Sequence, residues 1–137
     1  MREGSDALVV TTGITLKPAL DAALELGKEG IETAVVHVPT IKPLDRDTLL
    51  EYAGRVPVVV TVEEHSVIGG LGSAVAELIA EADFSAPKRF RRIGIPDVFP
   101  DQYGSQASLM DRYEINSKRI CSLVRELVGC KPVLSVR

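Results

Sequence analysis

Glu63, Glu64 and His65 are the residues of this 137-residue chain best equipped for proton chemistry, because two carboxylates and an imidazole stand in consecutive positions. Imidazole titrates near neutrality, so a Glu–His pair can serve as general acid and base. A zinc-type site needs further ligands, and Asp97 is the acidic residue that chain order brings nearest. Consecutive side chains on a strand point to opposite faces, so the three converge on one ligand only if the backbone bends. A hydrogen-bonded cluster at a subunit or domain interface is the plainer reading.

Four residues on, Gly69-Gly70-Leu71-Gly72-Ser73 is a glycine-rich turn whose backbone N–H groups can face an anion at a helix N-terminus. A dinucleotide fingerprint needs a third glycine where Val75 stands, and a P-loop needs a Lys-Ser/Thr pair that the stretch lacks. A tight turn with close helix–sheet packing is the simpler account. Ser66 and Ser73 sit in no nucleophile elbow. His37 lies among valines as a core or half-core residue. Cys121 and Cys130, nine apart, form neither a disulfide framework nor a zinc knuckle. The Lys88–Arg92 cluster reads as charge on a solvated edge rather than a nucleic-acid surface.

These residues need a frame. Sixteen basic and nineteen acidic side chains leave a net charge of −3, which favours neither nucleic acid nor a membrane surface as partner. No apolar run approaches the ~18 residues of a membrane helix and no signal peptide opens the sequence, so the reading is a soluble, cytoplasmic protein. Asp6–Thr12, Thr33–Val38, Val56–Val62 and Lys88–Ile95 read as strands, the first three being β-branched runs of the kind covered on both faces. Helices are expected between them: one capped by Thr15 with Leu16, Ala19, Leu20, Ala23, Leu24 and Gly27 inward, one capped by Asp45 with Leu49, Leu50 and Ala53 inward, and one opening at the glycine turn with Leu71, Val75, Leu78, Ile79 and Ala82 inward. A short helix near Gln106–Tyr113 and a last one, capped by Asn116 with Ile120, Val124, Leu127 and Val128 inward, close the chain. The fold class is α/β, a three-layer α/β/α sandwich on a mostly parallel sheet of four to five strands, ordered second, first, third, fourth. The switch point then brings Thr12-Gly13 beside Glu63-Glu64-His65. One domain is expected over 1–129, with 130–137 as a disordered tail.

The stretch Thr61-Val62-Glu63-Glu64-His65-Ser66-Val67-Ile68-Gly69-Gly70-Leu71-Gly72-Ser73-Ala74-Val75-Ala76-Glu77 resembles the signature of the C-terminal domain of transketolase-type, thiamine-diphosphate-dependent enzymes. Arg2-Glu3-Gly4-Ser5-Asp6, Thr12-Gly13, Ile41-Lys42-Pro43-Leu44-Asp45 and Ile93-Gly94-Ile95-Pro96-Asp97 fall in the order that family shows. The likeness runs from Arg2 to about Gly129.

The resemblance implies a mixed five-stranded sheet whose first, antiparallel strand ends near Arg-Glu-Gly, so that strand is essentially missing here and the chain looks like a domain of a longer polypeptide. It implies thiamine diphosphate and Mg²⁺ held between two other domains across a dimer interface, a homodimeric complete enzyme that moves a ketol unit between phosphosugars, and an assembly role for this domain, inactive alone. No catalytic, cofactor-binding or metal-binding residue carries over to it. Glu64-His65 is closer to transketolase-like chains than to deoxyxylulose-phosphate synthases or 2-oxoacid dehydrogenase E1 β chains, which stay as alternatives. A stand-alone anion- or nucleotide-binding module, or a subunit-docking module, using Thr12, Gly13, Glu63, Glu64, His65, Gly69, Gly70, Gly72 and Ser73, is the rival reading.

Overall fold

The computed structural model describes residues 1–129. The expected tail at 130–137, with Cys130, lies outside the described residues. Four strands, β1 (Ala7–Thr11), β2 (Thr33–His37), β3 (Val58–Ser66) and β4 (Arg89–Ile95), alternate with helices α1 (Leu16–Lys28), α2 (Arg46–Gly54) and α3 (Leu71–Glu81), and α4 (Gln106–Arg112) and α5 (Ser117–Gly129) follow. The sheet order is β2-β1-β3-β4, as the sequence predicts. Every pairing of neighbours is parallel, with Val9 level with Val35 on one side and Val60 on the other. Uninterrupted valine suits such strands because both faces are covered. Ala7, Val9, Val58, Val60 and Val62 pack against α1 and α5, while Leu8, Val10 and Val59 pack against α2 and α3.

The antiparallel fifth strand implied by the resemblance is reduced to one bridge. The Arg2 amide donates to Val35 O at 2.9 Å, and Val35 donates back to Arg2 O at 3.0 Å. Glu3 accepts the Tyr52 hydroxyl at 2.8 Å and Arg55 Nη1 at 3.3 Å, tying this segment to α2. A Cβ at Gly4 would stand 2.2 Å from the Ala34 nitrogen, so the Arg-Glu-Gly run passes too close to β2 for a side chain at its third position.

Three local expectations are corrected. Thr15 makes no side-chain cap for α1; its buried hydroxyl lies 2.7 Å from Thr12 O and 2.9 Å from Val62 O, joining the ends of β1 and β3 instead. The inward face of α1 is Ala19, Ala22, Ala23 and Leu26, while Leu20 and Leu24 are exposed. Three of those four inward residues are alanines. On α2, Tyr52 is buried beside Leu49 and Ala53, and Leu50 packs only at the margin. Asp45 and Asn116 do cap, accepting Thr48 N at 3.2 Å and Arg119 N at 2.9 Å.

The edge cations are less solvated than their sequence suggests. Lys88 donates to Val56 O at 2.8 Å, Arg92 to Val67 O at 2.7 Å, and Arg89 to Leu127 O. They satisfy carbonyls at the ends of neighbouring elements while keeping the edge charged.

Candidate functional site

In a parallel sheet every strand delivers its carboxyl end to the same edge, where bound ligands collect in such folds. That edge carries Thr12-Gly13 after β1, Glu63–Ser66 at the end of β3 and the glycine turn leading to α3. The expected strand Val56–Val62 is corrected here: β3 runs from Val58 through Ser66, so Glu63, Glu64 and His65 belong to the strand. Opposite β4 the register slips between Val62 and Ser66, which face Ile93 and Ile95. Three residues of β3 thus span a single residue, Gly94, of its neighbour. Irregularities of this kind re-aim side chains.

The two glutamates go to opposite faces. Glu63 turns towards α3 and is completely buried. Its Oε2 accepts Leu71 N at 2.8 Å and its Oε1 accepts Gly72 N at 2.9 Å. His65 Nε2 stands 2.8 Å from Oε2, with about half of its own side chain exposed. A carboxylate at the first turn of a helix satisfies amides that lack intrahelical partners and complements the positive end of the helix dipole. A Cβ at Gly70 would stand 2.0 Å from Glu63 Oε2, and one at Gly72 would stand 2.8 Å from Oε1. These glycines make room for the carboxylate, and the amides that would greet an external anion already hold Glu63. Gly69, at φ +75°, donates to Ser73 Oγ at 3.0 Å, and Arg92 Nη1 reaches the same hydroxyl at 3.3 Å.

Glu64 turns to the other face. A Cβ at Gly13 would meet its Oε1 at 2.2 Å, and Gly13 also sits at φ +55°. Two independent constraints therefore select glycine where β1 leads into α1. Thr12 fixes the same corner by donating its hydroxyl to Val38 O at 2.7 Å. Glu64 Oε2 is buried without a hydrogen-bond partner. Glu64 also lines a cavity of about 330 Å³ with Ile95, Gln106, Leu109, Met110 and Ile115.

The structure thus brings Thr12-Gly13 to Glu64 and the glycine turn to Glu63 and His65, making two clusters back to back through β3. Sequence reasoning placed these residues at one edge but missed the burial of Glu63. The available signal was the glycine pair at 70 and 72, small enough to admit a carboxylate. Among the described residues no three His, Cys, Asp or Glu side chains are grouped to hold a metal ion. No helix there is long and apolar enough to cross a membrane.

Comparison with known proteins gives a consistent relationship. The family described as transketolase, C-terminal domain, matches residues 1–120. A transketolase family protein of Sinorhizobium fredii is 44% identical over 127 residues, 92% of this chain and 36% of its own length. A 1-deoxy-D-xylulose-5-phosphate synthase of Geobacter sulfurreducens is 37% identical over 140 residues, 99% of this chain and 22% of its own. A solved split-gene transketolase, described as an inactive β4 tetramer, superposes with a TM-score of 0.82 at 39% identity, covering 93% of this chain and 41% of that one. The chain therefore spans only a fifth to two fifths of the relatives it matches.

Proposed function

The chain belongs to the transketolase C-terminal domain family, and from that premise we propose that it serves a larger thiamine-diphosphate-dependent, transketolase-like enzyme through assembly and interdomain contact, outside the chemical step. The observation that carries this reading is the match itself: it runs over residues 1–120, while relatives such as the Sinorhizobium protein extend well beyond it. The site geometry agrees, because the Glu63 carboxylate and the first amides of α3 satisfy one another. The donor set does not fit the pyrophosphate and Mg²⁺ of thiamine diphosphate: those amides are engaged, and Glu63 is enclosed by its own donors. The cofactor is assigned to the rest of the enzyme, which is read as a cytoplasmic homodimer that transfers ketol units between phosphosugars. A 6-deoxy-6-sulfo-D-fructose transketolase subunit of a Clostridium species is 39% identical over 131 residues.

The deoxyxylulose-phosphate synthases form a second reading, favoured by their 37–42% identities over nearly the whole chain. Titration calorimetry of this chain with thiamine diphosphate and Mg²⁺ is expected to give no heat of binding. Combined with its cofactor-binding counterpart, the chain is expected to support ketol transfer, whereas 1-deoxyxylulose 5-phosphate formation would decide for the second reading. Micromolar cofactor binding by the chain alone would overturn both.

A further inference from the structure

We propose that the carboxyl edge of the sheet, with Phe99 and Tyr103 as its anchors, is the face on which this domain packs against the cofactor-binding part of its enzyme. The proposal rests on the assembly role above and names the surface that carries it.

Eight large apolar side chains are exposed among the described residues, and six of them stand at that edge. Ile14 follows β1, Ile68 follows β3, and Val98, Phe99 and Tyr103 follow β4. Met1 lines a cavity with Val38 and Pro39 just beyond β2. Neighbouring contacts draw these segments together. Gly13 lies against Glu64, which places Ile14 beside the end of β3, and Val67 N donates to Ile95 O at 2.9 Å, which sets Ile68 beside the start of the loop after β4.

Single exposed apolar residues are ordinary, but large ones gathered on one edge mark a surface that another surface covers. Phe99 is 99% exposed and Tyr103 completely so, although aromatic side chains usually bury much of their area and are enriched at interface cores. Between the two, Arg112 donates from Nη2 to Asp101 Oδ1 and from Nη1 to Gln102 Oε1, both at 2.6 Å, and so ties their loop to α4. A loop already held in place gives up less freedom on docking.

The occupant follows from position. The chain spans 36% of the Sinorhizobium relative and 41% of the split-gene structure, and a C-terminal domain is joined to the rest of its enzyme through its first residue. Met1 stands at this same edge, so on that reading the remainder enters beside the apolar surface. A second copy of the chain has no such anchorage.

The test is sedimentation equilibrium of this chain with the cofactor-binding part supplied as a separate polypeptide, for the wild type, the double variant Phe99→Ser with Tyr103→Ser, and Leu24→Ser, each also melted and sedimented alone. The double variant is expected to weaken association by about tenfold or more at an unchanged melting temperature, because side chains so exposed have little within the chain to lose. Leu24 is 60% exposed on the outer side of α1, and its replacement is expected to leave association unchanged. Wild-type association that the double variant leaves intact, or that Leu24→Ser weakens equally, overturns this surface and leaves the assembly role standing. A wild type that fails to associate with the cofactor-binding part overturns both, and if it pairs with itself where the double variant does not, the edge belongs to a second copy instead.

Discussion

The Glu63 carboxylate accepts the backbone N–H of Leu71 at 2.8 Å across eight positions of chain, so β3 caps the helix that follows it. The cap comes from the sheet rather than from the residue before the helix, because Gly70 holds the N-cap position and brings no side chain. Glu63→Ala removes the acceptor of two buried amides together with the partner of His65. Hydrogen bonds to charged groups are worth about 1.5–3 kcal/mol each, with partial overlap, so a loss of about 3 kcal/mol in urea unfolding is expected. A loss below about 0.5 kcal/mol, the range of surface substitutions, would show that the cap is dispensable.

Gly70→Ala should act through the same contact. The added methyl would stand 2.0 Å from Glu63 Oε2, so the carboxylate must leave or the turn must open. In a double-mutant cycle the two losses should fall well short of additive, with a coupling of about 1–3 kcal/mol, as for residues that share one network. Strict additivity would separate the glycine from the carboxylate.

Sequence reading recovered the frame of this molecule because the valine runs of β1, β2 and β3 and the glycine stops are strong local signals. The order β2-β1-β3-β4 follows once the first strand is taken as central and the chain as winding both ways from it with right-handed crossovers. Tertiary choices lay beyond local pattern. Leu20 and Leu24 match a helical apolar stripe as well as Ala22 and Leu26 do, and only the packing of α1 against the sheet and α5 decides which pair is buried. The expected strand stops at Val62, just before Glu63, because charge after a valine run is the usual sign of a strand ending. The burial of Glu63 depends on amides eight and nine residues away.

Gly13→Ala meets two obstacles that can be separated. Its φ of +55° costs a residue with a Cβ about 1–2 kcal/mol, and the contact with Glu64 adds a steric loss. Gly13→Ala in a Glu64→Ala background should recover the steric part alone, leaving a residual destabilisation near the backbone figure. Full recovery would place the whole cost in the side-chain contact.

Cys121 is buried on α5, with its thiol 3.6 Å from Ala22 O. Burial raises the thiol above its ordinary 9.0, the thiolate being the form that desolvation penalises. Native protein therefore keeps this proton at pH values where unfolded chain releases it. The resulting stability is complete below about pH 9 and is lost as pH rises towards the native value. Melting temperatures measured from pH 7 to 10.5 should fall less steeply at the alkaline end for Cys121→Ala than for wild type, and iodoacetamide should modify the native thiol far more slowly than the denatured one. Parallel melting curves, or rapid native alkylation, would contradict this.

The occupied amides of α3 also predict how the chain answers anions. A free helix N-terminus attracts phosphate through unpaired N–H groups and the helix dipole, and here the N–H groups of Leu71 and Gly72 are engaged by Glu63. Millimolar phosphate or ATP should leave the wild-type melting temperature unchanged. Glu63→Ala frees those amides and removes the negative charge from their front, so phosphate should partly rescue that variant while sparing the wild type. The gain is bounded by about 2.7 kcal/mol at a hundred times the dissociation constant. Stabilisation of the wild type by phosphate would mean that an anion displaces Glu63 or binds elsewhere, and the glycine turn would regain its claim as a ligand site.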